Sequence, residues 1–317
     1  MMSSTGEFLS YLRELDVRLW RDGERLQCDA PRGVLTDELK EQIGARKQEL
    51  LALLRSLEGA TDGAPPLVAL EPTATAPPSF MQERLWFIQR LLPQAPYYIQ
   101  LCWKLHGELD KGALRAAVRD LVRRHQTLRS SFELVDGRLM QHIADDASVH
   151  LHEVDVGAGS AHDVEGRVND LLRAEMMRPF DLTKAPLVRA QLIRLGPAEF
   201  VLQLVFHHLV FDGWSCAVFS KELGSAYRGV ALPPLPVQYA DFVAWERQRL
   251  TPAVLDRELA YWRQALDGAP PESTLPLDRP RPARPSTRGA VELFDPPAAL
   301  MDGLLRLAQT EGATLYM

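Results

Sequence analysis

Phe200-Val201-Leu202-Gln203-Leu204-Val205-Phe206 is apolar at every position but one, and it constrains the fold more than any other stretch of the chain. The run is far shorter than the roughly 18 apolar residues of a membrane span, and it lacks the alternation of a half-exposed strand. It is therefore expected as a strand covered on both faces, which requires a sheet with helices packed against it. The neighbouring pattern supplies both. Residues 187–195 and 199–206 flank Gly196-Pro197 as a strand pair, and residues 128–135 and 138–143 flank Asp136-Gly137 as a second, antiparallel pair. Ile99, Leu101, Trp103 and Leu105 alternate as a further strand. Asp110 offers an N-cap to a helix with inner face Leu114, Ala117, Val118, Leu121 and Val122. Residues 162–177 and 214–227 read as two more helices, the second carrying Val218, Phe219 and Leu223. The fold class is α/β (α+β), a sandwich on a mixed sheet.

The length of 317 residues, 46% of them hydrophobic, gives enough material for two or three domains. A break in composition divides it. Gly59-Ala60-Thr61-Asp62-Gly63-Ala64-Pro65-Pro66 and Pro72-Thr73-Ala74-Thr75-Ala76-Pro77-Pro78 hold almost no large side chains, so residues 59–78 read as a Pro/Ala/Thr/Gly linker. Ahead of it, residues 1–58 form a small unit in the order helix, hairpin, helix, helix: a helix over 6–15, a hairpin around Asp22-Gly23, and a Thr36-capped helical stretch interrupted at Gly44 whose stripe is Leu39, Ile43, Leu50, Leu51 and Leu54. About sixty residues is near the lower limit of unaided folding, so a partner or a second copy would help it.

Several function classes are disfavoured at this level. Thirty-six basic against 42 acidic side chains give a net charge of −6, which does not attract nucleic acid or anionic lipid. Met1-Met2-Ser3-Ser4-Thr5-Gly6-Glu7 lacks the basic start of a secretion signal, and Cys28, Cys102 and Cys216 form neither a pair framework nor a zinc spacing. A cytoplasmic protein without a metal is expected. His150 and His152 share a strand face near Asp145 and Asp146, but exposed strand positions account for them.

The chemistry is concentrated where the apolar strand ends, at His207-His208-Leu209-Val210-Phe211-Asp212-Gly213-Trp214-Ser215. Of two adjacent imidazoles at a strand end, one must leave the sheet face and can meet a cleft. Imidazole, with a pKa near ~6.5, suits proton transfer to or from an amine or hydroxyl nucleophile. Asp212 precedes the next helix, where it can cap that helix or hold an arginine, and Gly213 lets the backbone approach a substrate. Amides at the helix start can favour a developing oxyanion.

These residues resemble the His-His-x-x-x-Asp-Gly motif of the condensation domains of non-ribosomal peptide synthetases. Three further blocks occur in that family's order. Ser79-Phe80-Met81-Gln82-Glu83-Arg84-Leu85-Trp86 is similar to its opening block, with Met81 for the commoner alanine. Arg124-His125-Gln126-Thr127-Leu128-Arg129-Ser130-Ser131-Phe132 is similar to its second, with Gln126 for glutamate and Ser130 for threonine, and Tyr239-Ala240-Asp241-Phe242-Val243-Ala244-Trp245 to its fourth. The resemblance implies a chloramphenicol-acetyltransferase-like fold of two lobes with a tunnel between them. Donor and acceptor peptidyl carrier proteins would deliver phosphopantetheine thioesters to that tunnel, and no cofactor is bound directly. The implied product is an amide. His208 is the implied catalytic residue, as base or as positioner of the amine, with His207 and Asp212 architectural and Gly213 close to the reacting groups. Arg124 or Arg129 is expected to pair with Asp212, and Trp214 and Ser215 to shape the tunnel. Residues 79–250 are expected as the N-terminal lobe. Residues 251–317 are expected as an inter-lobe segment and the start of a truncated second lobe, because the family's later motifs do not occur, so condensation by this chain alone is expected to be weak or absent.

The N-terminal unit is similar to TubC-type docking domains, on Leu19-Trp20-Arg21-Asp22-Gly23-Glu24-Arg25-Leu26, on Ala30-Pro31-Arg32-Gly33-Val34-Leu35-Thr36 and on the helix over residues 47–54. This implies that its hairpin edge receives the C-terminal docking tail of an upstream synthetase subunit, with Arg18, Arg21, Arg25 and Arg32 meeting an acidic peptide, and that it can homodimerise. Two rival readings stand beside this one: a stand-alone CoA-dependent acyltransferase, and a non-catalytic module that binds docking tails and carrier proteins.

Overall fold

The computed structural model describes residues 5–15, 17–22, 25–31, 34–59, 65–93, 97–157, 159–270, 276–280, 294–311, 313 and 315. The chain divides into two units, Met1–Ala64 with Arg288–Met317, and Pro65–Thr287.

The first unit begins with α1 (Thr5–Glu14), the hairpin β1 (Arg18–Asp22) and β2 (Arg25–Asp29), α2 (Asp37–Ala45) and α3 (Lys47–Gly59). The order is the one the sequence pattern gives. Thr36 caps α2 by accepting the Leu39 N–H at 3.2 Å. Phe8, Leu12, Val17, Leu39, Ile43 and Leu50 are buried together as its core. In the hairpin Leu19 lies opposite Cys28 and Arg21 opposite Leu26, so these four share the half-buried face.

The second unit comprises β3 (Thr75–Ala76), α4 (Phe80–Leu91), β4 (Tyr98–His106), α5 (Lys111–Arg124), a 3-10 turn at Gln126–Arg129, β5 (Ser130–Val135), β6 (Arg138–Ile143), β7 (Leu151–Asp155) and α6 (Ala161–Met177). It continues with β8 (Val188–Gly196), β9 (Glu199–His207), α7 (Gly213–Tyr227), α8 (Tyr239–Arg249) and α9 (Pro252–Ala265). A last helix, α10 (Ala298–Thr310), belongs to the first unit.

The main sheet has the order β4-β9-β8-β7, with β7 and β8 parallel and the other pairs antiparallel. β9 is an inner strand. On one face α5 and α7 bury Leu202, Leu204 and Phe206 of β9 in the main core, and on the other α6 packs over Ile193 and Val201. The one polar residue of the apolar run, Gln203, is buried but satisfied on one side, its amide donating to the Leu172 carbonyl of α6 at 2.9 Å. A second sheet has the order β3-β6-β5. Its Asp136-Gly137 turn has φ of 50° and 77°, the two positive values that a type I′ hairpin needs.

The structure changes one boundary. Residues 65–78, read as linker, belong with the second unit. The Pro65 carbonyl accepts the Trp245 indole N–H at 2.6 Å, the Leu70 N–H donates to Asp241 at 3.1 Å, and Thr75 and Ala76 pair with His142 and Gln141. A Pro-rich strip still offers carbonyls, and α8 supplies donors to them. The strand expected from residue 128 starts at Ser130, because the Gln126–Arg129 turn uses the preceding residues. Among the described residues no helix is long and apolar enough to cross a membrane.

Candidate functional site

β9 ends at His207, and the chain turns through His208, Leu209 and Val210 before Asp212 opens α7. The His207 N–H donates to the Leu187 carbonyl at 3.0 Å, the His208 N–H to the Tyr97 carbonyl at 2.8 Å, and the Val210 N–H back to the His207 carbonyl at 3.0 Å. The imidazoles therefore part at the strand end. His207 is 1% exposed, with its ring against Tyr98 (5.4 Å between centroids) and Phe180 (6.0 Å). His208 is half-buried. His207 Nδ1 accepts the Leu209 N–H at 3.1 Å, which leaves the proton of the neutral ring on Nε2. Burial, and then the charges of His208 and Arg189, push the His207 pKa down to about 4, so this ring is neutral at pH 7 and acts as a backbone support. Among the described residues His207 Nε2 and His208 Nδ1 are both buried without a hydrogen-bond partner, so what separates the two rings is the greater exposure of His208 as a whole.

Asp212 is the N-cap of α7. Its Oδ1 accepts the Ser215 N–H at 2.8 Å and the Ser215 hydroxyl at 2.6 Å, and the Ser215 Oγ accepts the Asp212 N–H at 3.3 Å, a reciprocal capping box. Partial burial raises the Asp212 pKa, but the Ser215 hydrogen bonds and the nearby His208 outweigh it, and the carboxyl sits below its ordinary value. The arginine partner expected for Asp212 is not there. Arg124 pairs instead with Glu222 at 3.1 Å, and Arg129 donates to the Ala144 carbonyl. Asp212 needs neither, because it is exposed and its own helix supplies the donors. The Ser215 amide is thereby committed to Asp212 and is not an oxyanion donor. A Cβ at Gly213 would meet nothing within 4 Å, and α7 starts there without a left-handed backbone, so this glycine leaves the mouth of the turn open instead of making a sharp bend. Trp214 is 80% exposed and edges, with His125, Thr127, Phe211 and Ser215, a cavity of about 120 Å³. Beneath it Phe206 and Phe211 stack at 3.8 Å and Phe219 meets both edge-on, which fixes the path from β9 to α7.

The other sequence blocks converge on this turn. Ser79 and Gln82 form a buried capping box at the start of α4, and the Gln82 side-chain amide donates to the Leu209 carbonyl at 2.9 Å. The Tyr239 hydroxyl donates to Ser79 Oγ at 3.0 Å, so the fourth block braces the first and the first braces the residue after His208. Gln238 joins α8 to the second block, accepting the Gln126 N–H at 3.1 Å and donating to the Arg124 carbonyl at 3.0 Å. Glu222 of α7 accepts Arg124 at 3.1 Å and meets His125 Nε2 at 2.6 Å. The Ser-x-x-Gln spacing, a capping-box signature, was the one signal that could have assigned Gln82. Glu222 had none, since only tertiary contact brings it to residues 124 and 125.

On the N-terminal hairpin Arg18 and Arg25 are exposed, Arg21 lies on the half-buried face, and Arg32 falls outside the described residues. His150 and His152 are exposed. Among the described residues no three His, Cys, Asp or Glu side chains come together in a way that could hold a metal ion.

A mixed sheet covered by helices, with a histidine turn at the end of its inner strand, gives the larger unit a fold of the chloramphenicol-acetyltransferase type. The chain belongs to the condensation domain family: the Condensation domain matches residues 73–317, and the TubC N-terminal docking domain matches residues 6–56 ahead of it. Over 264 residues the chain is 44% identical to the probable non-canonical nonribosomal peptide synthetase CymA of Salinispora arenicola, covering 78% of this chain and 3% of that protein. It is 38% identical to phosphinothricin tripeptide synthetase PhsC of Streptomyces viridochromogenes, covering 89% and 27%, and 30% identical to bacitracin synthase 2 of Bacillus licheniformis, covering 100% and 12%. The chain thus spans a small part of each of these relatives. Among solved structures, the EpoB cyclization-docking bidomain of a non-ribosomal peptide synthetase from Sorangium cellulosum matches with a TM-score of 0.61 at 25% identity, over 87% of this chain and 55% of that one. The X-domain from teicoplanin biosynthesis matches with a TM-score of 0.64 at 32% identity, over 79% and 56%.

Proposed function

We propose that this chain is the docking and histidine-bearing part of a non-ribosomal peptide synthetase, and that His208 serves amide-bond formation between two carrier-borne thioesters. The donor acyl or peptidyl group and the acceptor aminoacyl group each hang from the phosphopantetheine arm of a carrier protein. The acceptor amine attacks the donor thioester carbonyl, a C–N bond forms, the C–S bond breaks, and the amine proton leaves with the thiolate as a thiol. His208 either takes that proton or aligns the amine. An α-amine with a pKa near ~8 is partly neutral at pH 7, so alignment alone is a sufficient role. His207 and Asp212 hold the turn and do not titrate in this scheme.

The observation that carries this reading is the division of labour within the pair. His207 is fully buried with its Nδ1 spent on the Leu209 amide, whereas His208 is half-buried, on a turn braced by Gln82. Residues 6–56 are proposed to receive the C-terminal tail of the upstream synthetase at the β1–β2 hairpin, with Arg18 and Arg25 on its exposed side.

The test supplies the synthetase that bears this chain with loaded donor and acceptor carriers, and in a parallel reaction with the same acyl group on free CoA. Amide formation that requires both carriers supports the proposal. Equal turnover from acyl-CoA with no carrier selects the stand-alone acyltransferase instead.

A further inference from the structure

Arg189 is a charged residue set into a buried strand, between Val188 and Ala190 and opposite Val205 of β9. Such a residue stays there only if its donors are satisfied. Its Nε donates to Glu175 Oε1 at 2.5 Å, its Nη2 to the carbonyls of Glu175 (2.7 Å) and Arg178 (2.9 Å), and its Nη1 to the Pro179 carbonyl at 3.5 Å. These acceptors lie at the C-terminal end of α6 and just beyond it, where helix carbonyls lose their intrahelical partners. Arg189 therefore caps α6 from another element, with a positive charge at the negative end of the helix dipole.

The same guanidinium lies 3.7 Å from the Phe180 ring centroid and 5.9 Å from that of Tyr98. Phe180 and Tyr98 meet edge-on at 5.1 Å, and the Phe180 N–H donates to the Tyr98 hydroxyl at 3.3 Å. These two rings are the ones that enclose His207. A continuous set of contacts thus runs from the end of α6 through Arg189 and Phe180 to His207, and from His207 Nδ1 to the Leu209 amide beside His208.

We propose that Arg189 is a positioning residue for the histidine turn: by clamping the Arg178-Pro179-Phe180 corner it holds the Phe180 and Tyr98 rings over His207, and through His207 sets the place of His208. The inference rests on the proposed role of His208. The charged and titratable groups around the His207 ring are His208 on its own turn, Arg189 on β8 with Glu175 and Arg178 of the α6 end behind it, and Tyr98 on β4. Lysine cannot replace Arg189, since one ammonium cannot serve three carbonyls and a carboxylate while lying flat on Phe180.

The test has two arms. In the 317-residue chain, imidazole nitrogen and Leu209 amide resonances are followed against pH in the native protein, in Arg189→Lys and in Phe180→Leu. The expected result is that both variants keep the native circular dichroism while His207 loses its fixed Nε2–H tautomer, titrates nearer pH ~6.5 and releases the Leu209 amide. In the synthetase that bears the chain, Arg189→Lys is expected to lower kcat about 10- to 100-fold with KM for both carriers unchanged, the signature of a misplaced reacting group. A native His207 tautomer and Leu209 shift in Arg189→Lys overturns the proposal, as does a loss confined to KM. If Arg189→Lys does not fold, Phe180→Leu decides alone by the same readouts. The first arm requires no condensation activity, so a displaced turn together with a His208→Ala variant of full activity would overturn the role of His208 and leave the clamp standing.

Discussion

The buried neutral His207 makes the second unit acid-sensitive in a defined window. Its pKa is about 4 in the folded chain and near ~6.5 when unfolded. Because the folded value is the lower one, the unfolded state binds the extra proton first as pH falls, so stability is full above about pH 7 and drains away between about 6.5 and 4. The complete shift corresponds to about 3 kcal/mol, of which about 2 kcal/mol is lost between pH 7 and pH 5. The second unit's carboxylates whose folded pKa values are lowered, Glu153, Glu175, Asp181 and Asp212, contribute stability that disappears only as pH falls below their unfolded values near 4, outside that interval. The perturbation is His207→Asn, whose amide oxygen can still accept the Leu209 N–H but does not titrate. Urea unfolding is followed by tryptophan fluorescence at pH 7 and pH 5 in a Trp20→Phe background, which leaves the signal to tryptophans outside the N-terminal hairpin. The native protein is expected to lose about 2 kcal/mol more than the variant across that step. Equal losses within about 0.5 kcal/mol would refute the picture of a neutral, desolvated His207.

Three further outcomes follow from the same geometry. Asp212→Ala is expected to cost about 1 kcal/mol by removing the α7 cap, and Asp212→Asn only a few tenths, whereas an ion-paired Asp212 would suffer equally from both changes in thermal denaturation. Gln82→Leu leaves the Leu209 carbonyl and the Ser79 N–H without partners in a buried site, which should lower stability by about 2–4 kcal/mol in urea titrations; a cost below about 1 kcal/mol would show that the first block does not brace the turn. For the hairpin, binding of an acidic peptide from the tail of an upstream synthetase should weaken at least several-fold in Arg18→Glu with Arg25→Glu and weaken further with added salt, and calorimetry showing unaltered affinity would remove the electrostatic part of the docking reading.

Much of the fold was legible because its signals are local. The alternation in residues 99–105, the Asp110 cap and the Asp136-Gly137 turn each report a backbone preference that the surrounding structure does not override. The apolar run announced an inner strand for the same reason. The strip 65–78 was misread because proline and alanine content reports the lack of a helix, while its attachment depends on hydrogen bonds with α8, about 170 residues later in the chain. The site divided in the same way. The histidine motif was visible as a string, and Asp212 as a cap or a salt-bridge partner; the folded structure decides between them, because Ser215 lies within its own helix and Arg124 is taken by Glu222. Arg189 was readable in principle as a charge inside an apolar strand, but its acceptors are backbone carbonyls at the end of α6, which no pattern of side chains announces.

The central claim, that His208 is the group serving the reaction and His207 its support, is tested most directly by single-turnover amide formation in the synthetase that bears this chain. Loaded donor and acceptor carriers are mixed in rapid quench with native, His208→Ala and His207→Asn proteins, and carrier affinity is measured alongside. The account predicts that His208→Ala slows the bond-forming step by about 10²- to 10⁴-fold with carrier binding unchanged, while His207→Asn, which keeps an acceptor for the Leu209 amide but loses the ring under Phe180 and Tyr98, slows it less than His208→Ala does, by about 10-fold. A His208→Ala rate within about threefold of native would contradict it.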